Sequence, residues 1–126
     1  MIMREVFSCN QEQVNGLVDY TKKVWEQINK DNWHKGAYFK VDKSGEKVVG
    51  CCLIGWLKVR YGRMTDGSGD IEPLGIRYYG SYRHDIEDLV ERLGHKVGCG
   101  KNLAAWQDNI NTTLVHVIDA LRELDL

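Results

Sequence analysis

The 126-residue chain lacks the features that identify membrane and secreted proteins. It has one proline, and its longest apolar run, Val48 to Leu57, spans ten residues and contains two glycines. A membrane span needs about 18 apolar residues in succession. The first residues contain neither an apolar signal core nor a small-residue cleavage site. We therefore expect a cytoplasmic protein that makes no contact with a membrane.

Cysteine and histidine are too few and too scattered to predict a metal site. No Cys-x-x-Cys pair occurs, and the nearest ligand-like spacing, His95-x-x-x-Cys99, has no second pair of ligands. Without a secretion signal the four cysteines are expected to be free thiols, and the adjacent Cys51 and Cys52 to be buried as small apolar residues. There is no phosphate-binding loop, dinucleotide glycine motif or zinc-protease motif. We expect neither metal nor cofactor.

Charge of one sign is also missing, because the formal net charge is only −1. No strong nucleic-acid signal is present, since such proteins carry a concentrated basic surface. Hydrophobic residues make up 43% of the chain and charged residues 28%, which is ordinary globular composition. The length fits a single domain over residues 1–126, and homo-oligomerisation is compatible with it.

Three segments have the apolar spacing of amphipathic helices. The first begins at a cap, Ser8 or Asn10, and stops at Asp31-Asn32. The second ends at Gly94 as its left-handed C-terminal residue. The third runs from about Thr113 to Leu124. The apolar stripes are Val14, Leu17, Val18, Thr21, Val24, Trp25 and Ile28 in the first helix, Ile86, Leu89, Val90 and Leu93 in the second (with Asp85, Glu87 and Asp88 in its first turn), and Leu114, Val117, Ile118, Leu121 and Leu124 in the third.

Shorter elements complete the predicted fold. Residues 37–41 and 46–49 flank a Gly-containing turn and indicate a β-hairpin. Residues 51–61 fit either a helix or an alternating strand, and we favour a helix that should be the most buried element. Asn102 to Gln107 fits one helical turn. The predicted class is α+β, mostly α, with three to five helices around one core and a small β-hairpin.

A glycine- and tyrosine-rich segment, residues 62–83, separates the two halves of the chain. We expect it to be irregular and outside the core, with a short strand near residues 76–83. It carries arginines and tyrosines that suit anion binding and stacking on planar groups, although nearby acidic residues largely offset their charge. The candidate ligand- or partner-binding residues are Arg60, Arg63, Arg77, Tyr78, Tyr79, Tyr82 and Arg83, and Lys58 and Tyr61 lie among them in sequence.

Two classes of function follow from these residues. We favour a non-enzymatic binding module that engages a protein partner or a small anionic, nucleotide-like ligand. The alternative is a small hydrolase or transferase with a thiol or carboxylate site built from dispersed residues. For that alternative, Cys51, Cys52 or Cys99 would be the nucleophile and His84 or His95 the base. No local catalytic motif supports it, and buried apolar cysteines are usually inert.

Three short motifs occur at the junctions of predicted elements: Trp33-x-x-Gly36-Ala37, Cys51-Cys52-x-x-Gly55 and Trp106-x-Asp108. Together they resemble a family of small uncharacterised domains, found mainly in actinobacteria and phages, to which no activity is assigned. The resemblance implies an α-rich fold with a small hairpin, and its distribution suggests a setting in phage–host conflict.

The chain departs from that family at two positions. Gln107 stands where the family usually has Asn, and His116 stands where it usually has Glu. Glu three residues after Thr113 would complete a capping box, so we expect only the Thr113 half to form here. From the residues themselves, Trp33 and Trp106 need partners for their indole N–H groups if buried, and Asp108 could accept such a bond or cap a turn.

Overall fold

A computed structural model describes residues 4–6, 9–61, 70–71, 81–100 and 102–126, without the side chains of residues 11, 70, 71 and 81–87. Its strands are β1 (Arg4–Val6), β2 (Cys9–Asn10), β3 (Phe39–Val41), β4 (Val48–Cys51) and β5 (Asp70–Ile71). Its helices are α1 (Gln11–Val14), α2 (Val24–Gln27), α3 (Leu53–Tyr61), α4 (Ser81–Lys96), α5 (Leu103–Asp108) and α6 (Leu114–Glu123). The predicted class is confirmed: the fold is α+β and mostly helical.

The predicted hairpin is confirmed as the centre of a three-stranded antiparallel sheet in the order β1-β3-β4. Asp42 makes the turn, because its Oδ1 accepts the N–H of Glu46 at 3.0 Å and the hydroxyl of Ser44 at 3.0 Å. Gly45 has a φ of 78°, which side chains rarely tolerate. The third strand, β1, has too short a pattern to be recognised in the sequence.

The first predicted helix, extending to Ile28, is wrong: the structure has two separate turns, α1 and α2. Asp19 Oδ1 accepts both the backbone N–H and the hydroxyl of Thr21, at 2.9 and 2.6 Å. Gln27 Oε1 accepts the N–H of Asp19 at 2.8 Å. Such local bonds compete with helical ones, and Gly16 lowers helix propensity further.

The apolar stripe of that segment nevertheless predicts burial for most of its members, although Leu17 and Trp25 are only half-buried and Thr21 is exposed. A residue can be buried at helical spacing without the backbone being helical, because the irregular chain returns to the same core. Asn10 also caps as expected, although it caps α1: its Oδ1 accepts the Gln13 N–H at 3.0 Å while Gln13 Oε1 accepts the Asn10 N–H at 2.8 Å. The buried members of the stripe are Val14, Val18, Val24 and Ile28.

Helix α3 confirms the helical interpretation of residues 51–61 and is buried from Leu53 to Val59. Apolar residues on all sides of the helix explain why it lies at the centre of the core. Lys58, which lies among the candidate binding residues in sequence, is fully buried. Its position in the middle of α3 overrides the usual preference of lysine for the surface.

Helix α4 corrects two predictions. It runs through Gly94 to Lys96 and is followed by Gly98 with a φ of 83°. Gly94 is needed for close approach, because a Cβ there would lie 1.7 Å from the carbonyl oxygen of Gly100. The helix also begins at Ser81, so Asp85, Glu87 and Asp88 follow its first turn instead of forming it.

Part of segment 62–83 is therefore regular at positions other than those predicted, which were limited to a short strand near residues 76–83. Asp70–Ile71 pair antiparallel with Cys9–Asn10, and residues 81–83 belong to α4 and not to a strand. The rest of the segment, residues 62–69 and 72–80, lies outside the described residues.

The last two helices follow the sequence closely. Helix α5 forms the predicted short helix, and α6 begins after Thr113 as expected. The capping prediction for α6 is wrong: the Thr113 N–H donates to His116 Nδ1 at 3.1 Å, and the His116 N–H donates to Thr113 Oγ1 at 3.5 Å. The imidazole nitrogen replaces the glutamate oxygen, so both halves of the box form.

The buried apolar residues of the described chain form one cluster around α3. Leu126 closes it on one side, where its carbonyl oxygen accepts the Val24 N–H at 2.7 Å and the Tyr61 hydroxyl. Among the residues that the structure describes, no helix is both long and apolar enough to cross a membrane.

The close approach at Gly94 gives a stability prediction. Replacing Gly94 by Ala forces Cβ against backbone that cannot move independently, and we expect a loss of about 2 to 3 kcal/mol in the free energy of unfolding, measured by urea denaturation. Gly16→Ala is the matched control, because a Cβ there meets no atom within 4 Å. It should leave stability unchanged or raise it by up to about 1 kcal/mol. Equal losses in the two variants would contradict the assigned contact.

Candidate functional site

The predicted arginine and tyrosine site is only partly within the described structure. Arg63, Arg77, Tyr78 and Tyr79 lie outside the described residues. Tyr82 and Arg83 are in the first turn of α4, and their side chains are not described. Arg60 is therefore the one member of the predicted site whose contacts are described.

Arg60 is used within the fold. Its Nε donates to the carbonyl oxygen of Lys22 at 2.6 Å, and its guanidinium lies over the Tyr61 ring, with Cζ 4.7 Å from the ring centroid. These contacts join the end of α3 to the loop before α2. A guanidinium already engaged in this way is less available to bind an external anion.

The three motifs converge on the side chain of Gln107. Its Oε1 accepts the indole N–H of Trp33 at 3.0 Å and the backbone N–H of Leu53 at 2.9 Å. Gln107 is 2% exposed, so these bonds are shielded from water. One amide oxygen thus connects the segment before β3, the first residue of α3, and α5. Sequence reasoning singled out the two tryptophans and Asp108 and did not assign this role to Gln107.

Asp108 makes the companion contact and does not accept the Trp33 indole N–H. Its Oδ1 accepts the Gly36 N–H at 3.0 Å and is also bonded by the Gln107 side-chain amide. The motif glycine Gly55 serves the same junction, since a Cβ there would lie 2.2 Å from the carbonyl oxygen of Tyr38. The motif residues therefore build a packed junction, in which Asp108 has a structural role and holds the backbone at Gly36.

The cysteines are free thiols, as predicted, and are poorly suited to nucleophilic catalysis. Burial raises the pKa of Cys51 well above its ordinary value and raises that of Cys52 to about 11. Burial also raises the pKa of Cys99, which is only partly buried. Because the thiolate is the reactive form, raised pKa values keep all three groups protonated at neutral pH. Within the described residues, no three His, Cys, Asp or Glu side chains are placed to hold a metal ion.

A groove of about 530 Å³ lies between the end of α4, α5, the α5–α6 loop and α6. Trp106, Val97 and Ala120 contribute apolar surface to it. The ionisable residues that line it are Lys96, His116, Asp119 and Glu123, and the polar uncharged ones are Asn109, Asn111 and Thr112. The Lys96 ammonium pairs with the Glu123 carboxylate at 2.9 Å.

Two exposed apolar side chains are neighbours in sequence of residues that line this groove. Ile110 is 91% exposed and lies between Asn109 and Asn111, and Val115 is 64% exposed and precedes His116. Sequence analysis missed both. The isoleucine in Asn-Ile-Asn could have been recognised in the sequence. A single apolar residue in a polar turn has no apolar neighbours in sequence and is therefore expected to be exposed.

The turn that carries Ile110 is firmly hydrogen-bonded. Asn109 Oδ1 accepts the Asn111 N–H at 2.8 Å, and its backbone oxygen accepts the Thr112 N–H at 3.0 Å and the Lys35 ammonium. The Thr112 hydroxyl donates to the Trp106 carbonyl at 2.6 Å. These bonds therefore fix the backbone on both sides of the exposed Ile110. We call Trp106, Ile110, Val115 and the groove the α5–α6 surface.

The Gln107 junction predicts coupled stability effects. Gln107→Met keeps the volume but leaves the N–H groups of Trp33 and Leu53 without their acceptor, so we expect a loss of about 2 to 5 kcal/mol. Trp33→Phe removes one of the two donors. In a double-mutant cycle measured by chemical denaturation, the pair should couple by about 1 kcal/mol. Strictly additive losses would mean that the hydrogen bond between the Trp33 indole and Gln107 does not contribute to stability.

Thiol reactivity tests the burial of the cysteines. In the folded protein at pH 7.5, a chromogenic disulfide reagent should modify Cys99 and leave Cys9, Cys51 and Cys52 unmodified until denaturant is added. Cys99→Ser should abolish the reaction of the folded protein. Rapid modification of a second thiol in that variant would contradict the burial and would restore the thiol-enzyme alternative.

Comparison with known proteins agrees with the resemblance carried by the three motifs. Curated proteins and solved structures give no match to this chain. A family model described as "Family of unknown function (DUF6197)" matches residues 19–124, which include the Gln107 junction and the α5–α6 surface. The chain is therefore a member of the DUF6197 family.

Proposed function

We propose that this protein is a non-enzymatic binding module whose partner is a protein, and that the α5–α6 surface is its contact region. The observation that carries the proposal is Ile110, an isoleucine that is 91% exposed on a hydrogen-bonded turn beside a groove. Single exposed apolar residues are common on protein surfaces. Here the exposed Val115 and the groove residue Trp106 belong to the same stretch of chain.

The physical argument is preorganisation. A backbone turn that is already hydrogen-bonded in its exposed position loses little conformational entropy when a partner covers it. Burial of an isoleucine side chain removes apolar area from water and is worth about 1.5 to 3 kcal/mol. Aromatic groups such as Trp106 are enriched among the residues that dominate protein interfaces. The arrangement therefore suits a protein partner that supplies an apolar pocket.

The alternatives of the sequence analysis have less support. An anionic, nucleotide-like ligand at the arginine and tyrosine cluster remains a prediction, and the described contacts of Arg60 do not favour it. A thiol enzyme is disfavoured by the raised pKa values of its candidate nucleophiles. The biological setting that we propose is conflict between phages and their bacterial hosts, because the resemblance of the three motifs implies a family found mainly in actinobacteria and phages.

Photocrosslinking tests the proposal even though the partner is unidentified. A benzophenone amino acid at position 110, expressed in the cell that encodes the protein, should give one discrete protein adduct that mass spectrometry can identify. The same group at the exposed Lys43 position, on the hairpin turn, is the matched control. The adduct should disappear when Val115 is changed to Asp. Equal labelling from positions 110 and 43 would overturn the proposal.

With the crosslinked partner purified, Ile110→Asn should weaken binding by about 10- to 100-fold in calorimetric titration, because one buried isoleucine is lost. Thermal stability should be unchanged, since surface substitutions usually alter stability by less than about 0.5 kcal/mol. The double variant Arg77→Ala, Tyr79→Ala should bind normally. Binding lost in that variant and kept in Ile110→Asn would overturn the assigned surface. Native mass spectrometry that finds a retained anionic molecule and no adduct would favour the ligand alternative.

A further inference from the structure

The cap of α6 depends on a neutral histidine. The Thr113 N–H donates to His116 Nδ1 at 3.1 Å, so Nδ1 must carry a lone pair and not a proton. The neutral imidazole therefore has its proton on Nε2. The return bond runs from the His116 N–H to Thr113 Oγ1 at 3.5 Å, which makes the arrangement reciprocal. An ionised acidic capping residue offers only acceptors, whereas an imidazole nitrogen stops being an acceptor when it binds a proton.

Protonation of His116 opposes this cap in two ways. A proton on Nδ1 converts the acceptor into a donor, which then faces the Thr113 N–H. The positive imidazolium would also lie at the N-terminus of α6, where the exposed N–H groups of the helix favour negative charge. The bond from Thr113 and the favourable electrostatics are thus lost together.

The surroundings of His116 supply another partner for the protonated ring. Of the described groove residues, α4 contributes Lys96, and α6 contributes Asp119 and Glu123 as well as His116. Helix α5 and the following loop contribute only uncharged groups to the groove. Glu123 is paired with Lys96. Asp119 lies three residues after His116 on the same helix face, within reach of an imidazolium.

We propose that His116 is a proton-sensitive cap that controls the first turn of α6. At neutral pH its Nδ1 holds Thr113. On protonation the ring leaves Thr113 and turns toward Asp119, and the turn that carries Val115 loosens. The cap itself is independent of any partner. Its consequence, weaker presentation of the α5–α6 surface as pH falls, rests on the proposed function.

Amide hydrogen exchange at Thr113 measures the cap directly. Between pH 7.5 and pH 5.0, the protection factor of this amide, corrected for its intrinsic exchange rate, should fall about three- to tenfold. Nitrogen chemical shifts of the His116 ring, recorded over the same pH range, should show Nδ1 gaining its proton as the protection of the Thr113 amide is lost. Both measurements use the whole chain in its native state.

Two variants separate this cap from other histidines. His116→Glu should keep Thr113 protected at both pH values, because its carboxylate stays ionised. His95→Gln is the matched control, since His95 is an exposed histidine on α4 that contacts Glu91 at 3.6 Å, and it should retain the wild-type fall. An equal fall in His116→Glu, or no fall in the wild type, would overturn the proposal.

His34 is a second source of pH dependence. It is present in the wild type and in both variants, so its effect cancels when they are compared. Burial lowers its pKa, so the unfolded chain binds its proton more readily than the folded chain. Global stability should therefore fall as pH drops below about 6.5, and it should fall in every variant that keeps His34.

The two proposals can also fail separately. If the Thr113 amide loses protection as pH falls, but Ile110→Asn still binds the partner normally, only the docking surface is rejected. Normal partner binding with a pH-insensitive Thr113 amide rejects only the cap.

Discussion

The side-chain carbonyl of Gln107 is the contact on which the arrangement of the remaining segments depends. Two N–H groups from distant parts of the chain, the Trp33 indole and the Leu53 backbone, share this one buried acceptor. Leu53 begins the most buried helix, and its N–H has no helical partner because it is the first residue. Loss of the acceptor would leave two donors unsatisfied in a shielded environment, which costs far more than the net value of either bond.

The same short helix connects this interior junction to the exterior. In α5, Gln107 is buried, Asp108 holds Gly36, and Trp106 lines the groove. The Trp106 carbonyl then accepts the Thr112 hydroxyl, which fixes the turn that carries Ile110. A rigid interior contact therefore determines where an exposed apolar residue is presented. This link would allow a motif with no catalytic group to serve the proposed binding function.

The sequence predicts burial better than it predicts backbone conformation. Val14, Val18, Val24 and Ile28 are buried as their spacing indicates, yet Asp19 and Gln27 bond to local backbone groups and interrupt the helix. Gly94 has the composition of a helix end, but the loop at Gly100 packs against it within a continuing helix. Contacts between residues far apart in the chain decide both cases, and periodicity contains no information about them.

The site was harder to predict than the fold, because its properties arise from combined contacts. Exposed Ile110 is recognisable only once its turn and the neighbouring groove are known, and the bridging role of Gln107 only once Trp33 and Leu53 are close. Hydrogen exchange at the Leu53 amide tests this central contact most directly. The amide should exchange only through global unfolding, with the same opening free energy as the most protected core amides. Exchange at the rate of an exposed loop would show that the Gln107 junction does not hold the fold together.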